Sequence, residues 1–223
     1  MIKLRKLPEP ARLSTNAANW TQILKDKILR GETPTATEKS RYRHPEIKAI
    51  LVQETHGKCA YCESKLQHIH HGDVEHIYPK SLDIDKTFEW QNLTLSCEVC
   101  NQNKSNKDPY IENIIDPYHT DPEEHLMFIG GLIYPKGTDL GISTRILLKL
   151  HRAELVEMRN AQADKIMGIY AQIQNDSLPI IVRKALYDDL LNNEASASAP
   201  YSLMAKCIVK TMQQHIDQRI LSD

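Results

Sequence analysis

Apolar residues recur at helical spacing towards both ends of this chain and alternate only near its middle, which predicts helices flanking a small strand-bearing centre. Residues 16–30 set Trp20, Ile23, Leu24 and Ile28 on one side and stop at Gly31. A polar, threonine-rich linker with Pro34 follows. A second helix then opens at Pro45, carries Ile47, Ile50 and Leu51, and stops at Gly57. Residues 72–78 alternate and meet Pro79, as a short strand does. Residues 81–89 read as polar loop, 90–95 as the approach to and start of a second strand, and 97–107 as a short helix. Farther on, residues 127–134 suit a hairpin turned by Gly130-Gly131. Three helices are expected after it: residues 143–174 (Leu147, Leu150, Leu155, Met158, Ile166), residues 178–192, and a stretch opened by Pro200 (Leu203, Cys207, Ile208, Met212, Ile216, Ile220). The class is α+β, organised as a basic helical region (1–50), a central unit (51–110), and a hairpin with a helical region (111–223).

At 223 residues, 41% apolar and 26% charged, the chain has the make-up of a soluble globular protein of one domain with an appendage, or of two small ones. The basic opening residues lead to no apolar signal core. The apolar stretch at 126–134 is far short of a membrane span and is broken by two glycines, so a cytoplasmic location is expected. The net charge of −1 gives no global sign of nucleic-acid binding, but its distribution does. Residues 1–50 hold 11 Lys/Arg against 5 Asp/Glu, while residues 111–223 hold 11 against 15. The amino-terminal region is therefore the candidate for phosphate contact, against the plainer reading of a solvated face.

Four of the five cysteines form two Cys-x-x-Cys pairs, Cys59/Cys62 and Cys97/Cys100, with 34 residues between the pairs. In a reducing compartment such pairs serve metal rather than disulfides, and four thiolates close a tetrahedral Zn²⁺ site. Four thiolates leave no open position, so this zinc is structural. Cys207, left over, reads as a buried small hydrophobe. Between and just beyond the pairs lie Glu75-His76, Asn92 and Asn101. His76 alone would be an ordinary polar residue at a strand end. With a carboxylate beside it and two asparagines following, it gains the parts of metal-assisted phosphodiester cleavage. The cluster His68, His70 and His71 lacks partners at a defined spacing and reads as solvated loop.

These residues resemble the HNH, or ββα-metal, endonucleases. The match runs from Cys59 to Lys107 and reads Cys59-x-x-Cys62, Asp73-Val74-Glu75-His76-Ile77-x-Pro79, Asn92-Leu93 and Cys97-x-x-Cys100-Asn101-x-x-Lys104. The resemblance implies a zinc-stapled ββα-metal core in which His76 is the general base and Asn92 fixes the loop. Glu75 and Asn101 would hold a catalytic Mg²⁺ or Mn²⁺, oxygen donors suiting a hard ion. Glu75 stands where many members have Asp, and Asn101 where others have His. Asp73 and Lys104 are supporting or phosphate-contact candidates. The whole chain also resembles the PtuB-like nucleases of Septu and retron-linked anti-phage systems. That likeness implies a partner ATPase docked on the acidic helical remainder, and the resemblance to the HNH class, most of which cuts DNA, implies DNA as substrate. RNA, tRNA included, stays open, as does a non-catalytic zinc-stapled module that binds nucleic acid or a partner.

Overall fold

The computed structural model describes residues 1–66 and 71–221. The chain enters extended, with the Leu4 N–H donating to the Pro117 carbonyl at 2.8 Å, and turns into helix α1 (Ala11–Leu29) directly after Pro10. This start is five residues earlier than the apolar stripe predicts. Pro10 supplies a fixed φ before the first turn, and the additional turn is anchored by the buried Leu13. The expected linker contains a short helix α2 (Ala36–Ser40), started by a capping box in which Thr35 and Glu38 satisfy each other's backbone N–H. A 3₁₀ turn (Arg41–Arg43) then leads into α3 (Pro45–Glu54), with Pro45 in its first turn.

Strands β1 (Asp73–His76) and β2 (Leu93–Ser96) form an antiparallel pair in the register Asp73↔Ser96 to His76↔Leu93. The connection between them is wound into 3₁₀ turns at Ile84–Thr87 and Trp90–Asn92. Helix α4 (Glu98–Lys104) follows β2 at once and packs against β1, while α3 covers β2. Ile47, Leu51, Leu93 and Leu95 are wholly buried at that junction. The result is the expected strand, loop, strand, helix unit, clasped between helical regions.

The glycine-turned hairpin is present as β3 (Leu126–Ile129) and β4 (Leu132–Pro135). Gly130 has φ +57°, and a Cβ on Gly131 would lie 2.3 Å from Asn160 Oδ1, which accepts the Gly131 N–H. The single helix expected over 143–174 is two: α5 (Asp139–Leu147) and α6 (Ala153–Ile173). Lys149 takes a left-handed φ of +49° at the break. That turn lets Leu148 and Leu150 both reach the core, and the Arg159 guanidinium donates to the freed Leu150 carbonyl at 2.7 Å. Helix α7 (Ile180–Asp189) runs into a π turn (Leu190–Glu194), and α8 (Ser202–Met212) stops before a short α9 (Gln218–Leu221). Cys207 is only half-buried, against the edge of the core. One cluster of buried side chains runs from Met1 to Met204, and a second lies among α6, α7, α8 and α9.

Candidate active site

Each cysteine pair is held by backbone before any metal is considered. The Cys59 N–H donates to Ser64 O at 2.9 Å and the Ala60 N–H to Leu95 O, which ties the first knuckle to β2. Glu63 closes the knuckle with a left-handed φ of +64°. Its buried carboxylate takes the Lys58 ammonium at 3.1 Å and the α8 N–H of Ser202 at 3.0 Å. In the second knuckle Cys97 caps α4, its sulfur accepting the Cys100 N–H. The four sulfurs lie within 4.8 Å of one another, and Cys62 Sγ and Cys97 Sγ are 3.8 Å apart. A tetrahedron with Zn–S bonds of about 2.3 Å has edges of roughly 3.8 Å, so the quartet can hold a zinc ion. Burial, with hydrogen bonds to the other three sulfurs, pushes the Cys59 thiol well above its ordinary range. Four thiolates here therefore call for a cation at their centre. Both terminal nitrogens of Arg152 lie 3.8 Å from Cys100 Sγ and offset the charge that remains.

Strand alternation and helix spacing bring the next group together. Asp73 and Glu75 share one face of β1, and Asn101 and Lys104, three apart, share one face of α4. The faces meet. Asn101 Nδ2 donates to Asp73 Oδ2 at 3.3 Å, and Lys104 Nζ lies 3.1 Å from Glu75 Oε1 while donating to the His76 carbonyl at 2.7 Å. Burial raises the Glu75 carboxyl above its usual range, with the Lys104 charge acting against it. Asn101 Oδ1 has no protein partner among the described residues.

The His76 side chain leaves the strand on the other face. Its Nε2 lies 3.0 Å from the Thr87 carbonyl, and a carbonyl can only accept, so Nε2 carries the proton and Nδ1 the lone pair. Burial, with the nearby Lys80 charge adding to it, holds the imidazole neutral, its pKa down at about 3.

A family model described as HNH endonuclease matches residues 59–110, the stretch from the first cysteine of the quartet to just beyond α4. These residues form an HNH endonuclease domain. Among the relatives of this HNH protein is the Septu protein PtuB of Bacillus mycoides (strain KBAB4). It is 27% identical over an alignment taking in 92% of this chain and 88% of the relative. The Septu protein PtuB of Bacillus thuringiensis is 31% identical over 69% of this chain and 56% of its own length. The chain is thus a nuclease, a hydrolase of phosphodiester bonds.

In this HNH unit Asn92 uses every polar atom of its amide on the loop between the strands. It accepts the Tyr78 N–H at 2.7 Å and donates to the carbonyls of Tyr78 and Lys86 at 2.9 and 3.0 Å. Lys86 precedes Thr87, whose carbonyl accepts the hydrogen bond from His76 Nε2–H, so Asn92 and His76 are tied to one stretch of backbone. Asn92→Ala strands three partners and is expected to cost about 2–3 kcal/mol in a denaturant titration. The same variant should lower cleavage at least tenfold, roughly the cost of a mispositioned base.

Some neighbours escape sequence reasoning. Tyr42, buried, packs edge-on against His76 with ring centroids 4.5 Å apart, and Lys80 lies over the Tyr42 ring at 4.2 Å and bonds its hydroxyl. The hint in the sequence is the run Arg41-Tyr42-Arg43 inside the basic region. Of the histidine cluster, His68 and His70 fall outside the described residues, and His71 is exposed. No helix among the described residues is long and apolar enough to cross a membrane.

Proposed function

We propose that this nuclease is a divalent-metal-dependent endonuclease that cuts DNA as the effector of an anti-phage system, working in the cytoplasm with a partner ATPase. The observation that carries the chemistry is His76: neutral, buried, and fixed by Thr87 so that one ring nitrogen stays open as a base. His76 Nδ1 takes a proton from a water molecule, whose oxygen attacks the scissile phosphorus in line. The bond to the 3′ oxygen breaks, leaving a 5′ phosphate. Glu75 and Asn101 would hold a hard cation: both offer oxygen, and the Asn101 amide oxygen is unengaged among the described residues. When bound, Mg²⁺ or Mn²⁺ would supply stabilisation of charge on the phosphate and on the leaving oxygen. Asn92 keeps the imidazole in place throughout.

The likeness to the Septu protein PtuB along most of the chain supports the defence role. The acidic residues 111–223 are the surface for the ATPase. One observation favours a second reading: Lys104 already neutralises Glu75, as in a module that binds nucleic acid without cutting it. The test is to purify the protein with the products encoded beside its gene and incubate it with plasmid DNA and total tRNA in Mg²⁺ or Mn²⁺, wild type against His76→Ala. Cleavage of plasmid lost in the variant supports the proposal, and cleavage of tRNA alone moves the substrate to RNA. Equal cleavage by both proteins, or none, moves the reading to the binding module.

A further inference from the structure

The capping box of α2 delivers three consecutive residues, Arg41-Tyr42-Arg43, to the flank of His76. Beside them the surface sinks into a cavity of about 470 Å³ lined by Arg12, Trp20, Thr37, Ser40, Arg41, Arg43 and His44. No carboxylate is in this lining, and Glu46, close by, is engaged by the Arg12 backbone N–H at 3.1 Å. Among the described residues, the guanidinium groups of Arg12, Arg41 and Arg43 make no hydrogen bond or ion pair. Arg30, Arg145, Arg152, Arg159, Arg183 and Arg219, by contrast, each donate to a protein acceptor.

The three groups are held by aromatic rings instead. Arg12 and Arg41 lie 5.7 and 5.6 Å from the Trp20 ring centroid, and Arg43 lies 5.5 Å from that of Tyr42. Stacking leaves the planar N–H forks unspent, and such forks match phosphate oxygens two at a time. The cavity is also joined to the chemistry. Tyr42 touches the His76 ring, and Trp20 packs on Phe88 at 5.4 Å, next to the Thr87 carbonyl that fixes His76.

We propose that this arginine cavity binds the sugar-phosphate backbone of the substrate strand beside the bond that His76 opens. This rests on the nuclease reading for its substrate but is separable from it by experiment. The cavity sits in the one region with a clear basic excess, and explains why a chain of net charge −1 needs no broad basic groove.

The test measures binding apart from cutting. A fluorescent DNA duplex and an RNA hairpin are titrated by anisotropy with the His76→Ala protein, with and without Arg41→Gln/Arg43→Gln, from 50 to 300 mM NaCl. Affinity should fall roughly tenfold, and the slope of log affinity against log salt by about 2, one for each lost phosphate contact. Lys210→Gln, on the distant α8, should change neither. Thermal melting should fall by only a few degrees, because neither arginine makes a hydrogen bond or ion pair within the fold and each gives up only a contact with an aromatic ring; Arg12→Gln gives a single-site reading if the double variant does not fold. Unchanged affinity and slope on both probes would overturn the proposal, as would wild-type-like absence of any binding at 50 mM salt. Displacement of the probe by millimolar ATP or inorganic phosphate, beyond the effect of NaCl at equal ionic strength, would assign the cavity to a free phosphate ligand and also overturn it. Loss of cleavage in His76→Ala with the arginine variant binding normally would sink the cavity alone. Persistent cleavage in His76→Ala with binding lost in the arginine variant would sink the nuclease mechanism alone.

Discussion

Stripping the metal with a strong chelator, or replacing Cys62 with serine, is expected to unfold the β1–β2–α4 unit and drop the melting temperature by well over 10 °C. A structural zinc contributes an apparent 10–16 kcal/mol or so in small zinc domains, as much as the roughly 5–15 kcal/mol that holds an ordinary domain together. Four thiolates this close repel one another, and Arg152 offers a single compensating charge. Mass spectrometry of the purified protein should find one zinc per chain, and circular dichroism should report the melt before and after chelation. A protein that keeps its melting temperature with no metal bound would show that packing around Leu93 and Leu95 suffices. Acid should act in the same direction as the chelator, because protons compete with zinc for the sulfurs.

His76→Ala is expected to lower cleavage by about 10²–10⁴-fold, the usual worth of a positioned general base, while zinc content stays at the wild-type level. Because burial holds the His76 pKa at about 3 rather than 6.5, the imidazole stays unprotonated from pH 8 down to pH 5. A cleavage rate that falls through a midpoint near 6.5 would therefore place the titrating base elsewhere. The same shift has a stability consequence. On acidification the unfolded chain takes up a proton at His76 from about pH 6.5, and the folded chain not until about pH 3, so the stability held above 6.5 drains away across that window.

Motif spacing made the central unit legible. Cys-x-x-Cys pairs and the Glu75-His76, Asn92, Asn101 order depend on local geometry that a sequence displays directly. Helix α2 was also written there, in Thr35-x-x-Glu38, but its apolar stripe is absent and the capping signal alone had to carry it. The break between α5 and α6 was not legible. Residues 147–150 hold no glycine or proline, and what splits the helix is the joint burial of Leu148 and Leu150, a demand of the core rather than of the segment. The contact of Tyr42 with His76 joins residues far apart in sequence, which no local pattern reports.

Helix α6 begins beside Arg152, which reaches the second zinc knuckle, and ends with Ile166, Tyr170 and Ile173 in the other core. Its 21 residues make a rod of about 31 Å. Such a rod behaves as a lever: a tilt of 5° about its knuckle end would swing the far end by roughly 3 Å. A push on that far end through α7, which packs along α6, would turn the near end against Arg152 and so bear on Cys100, one residue from Asn101.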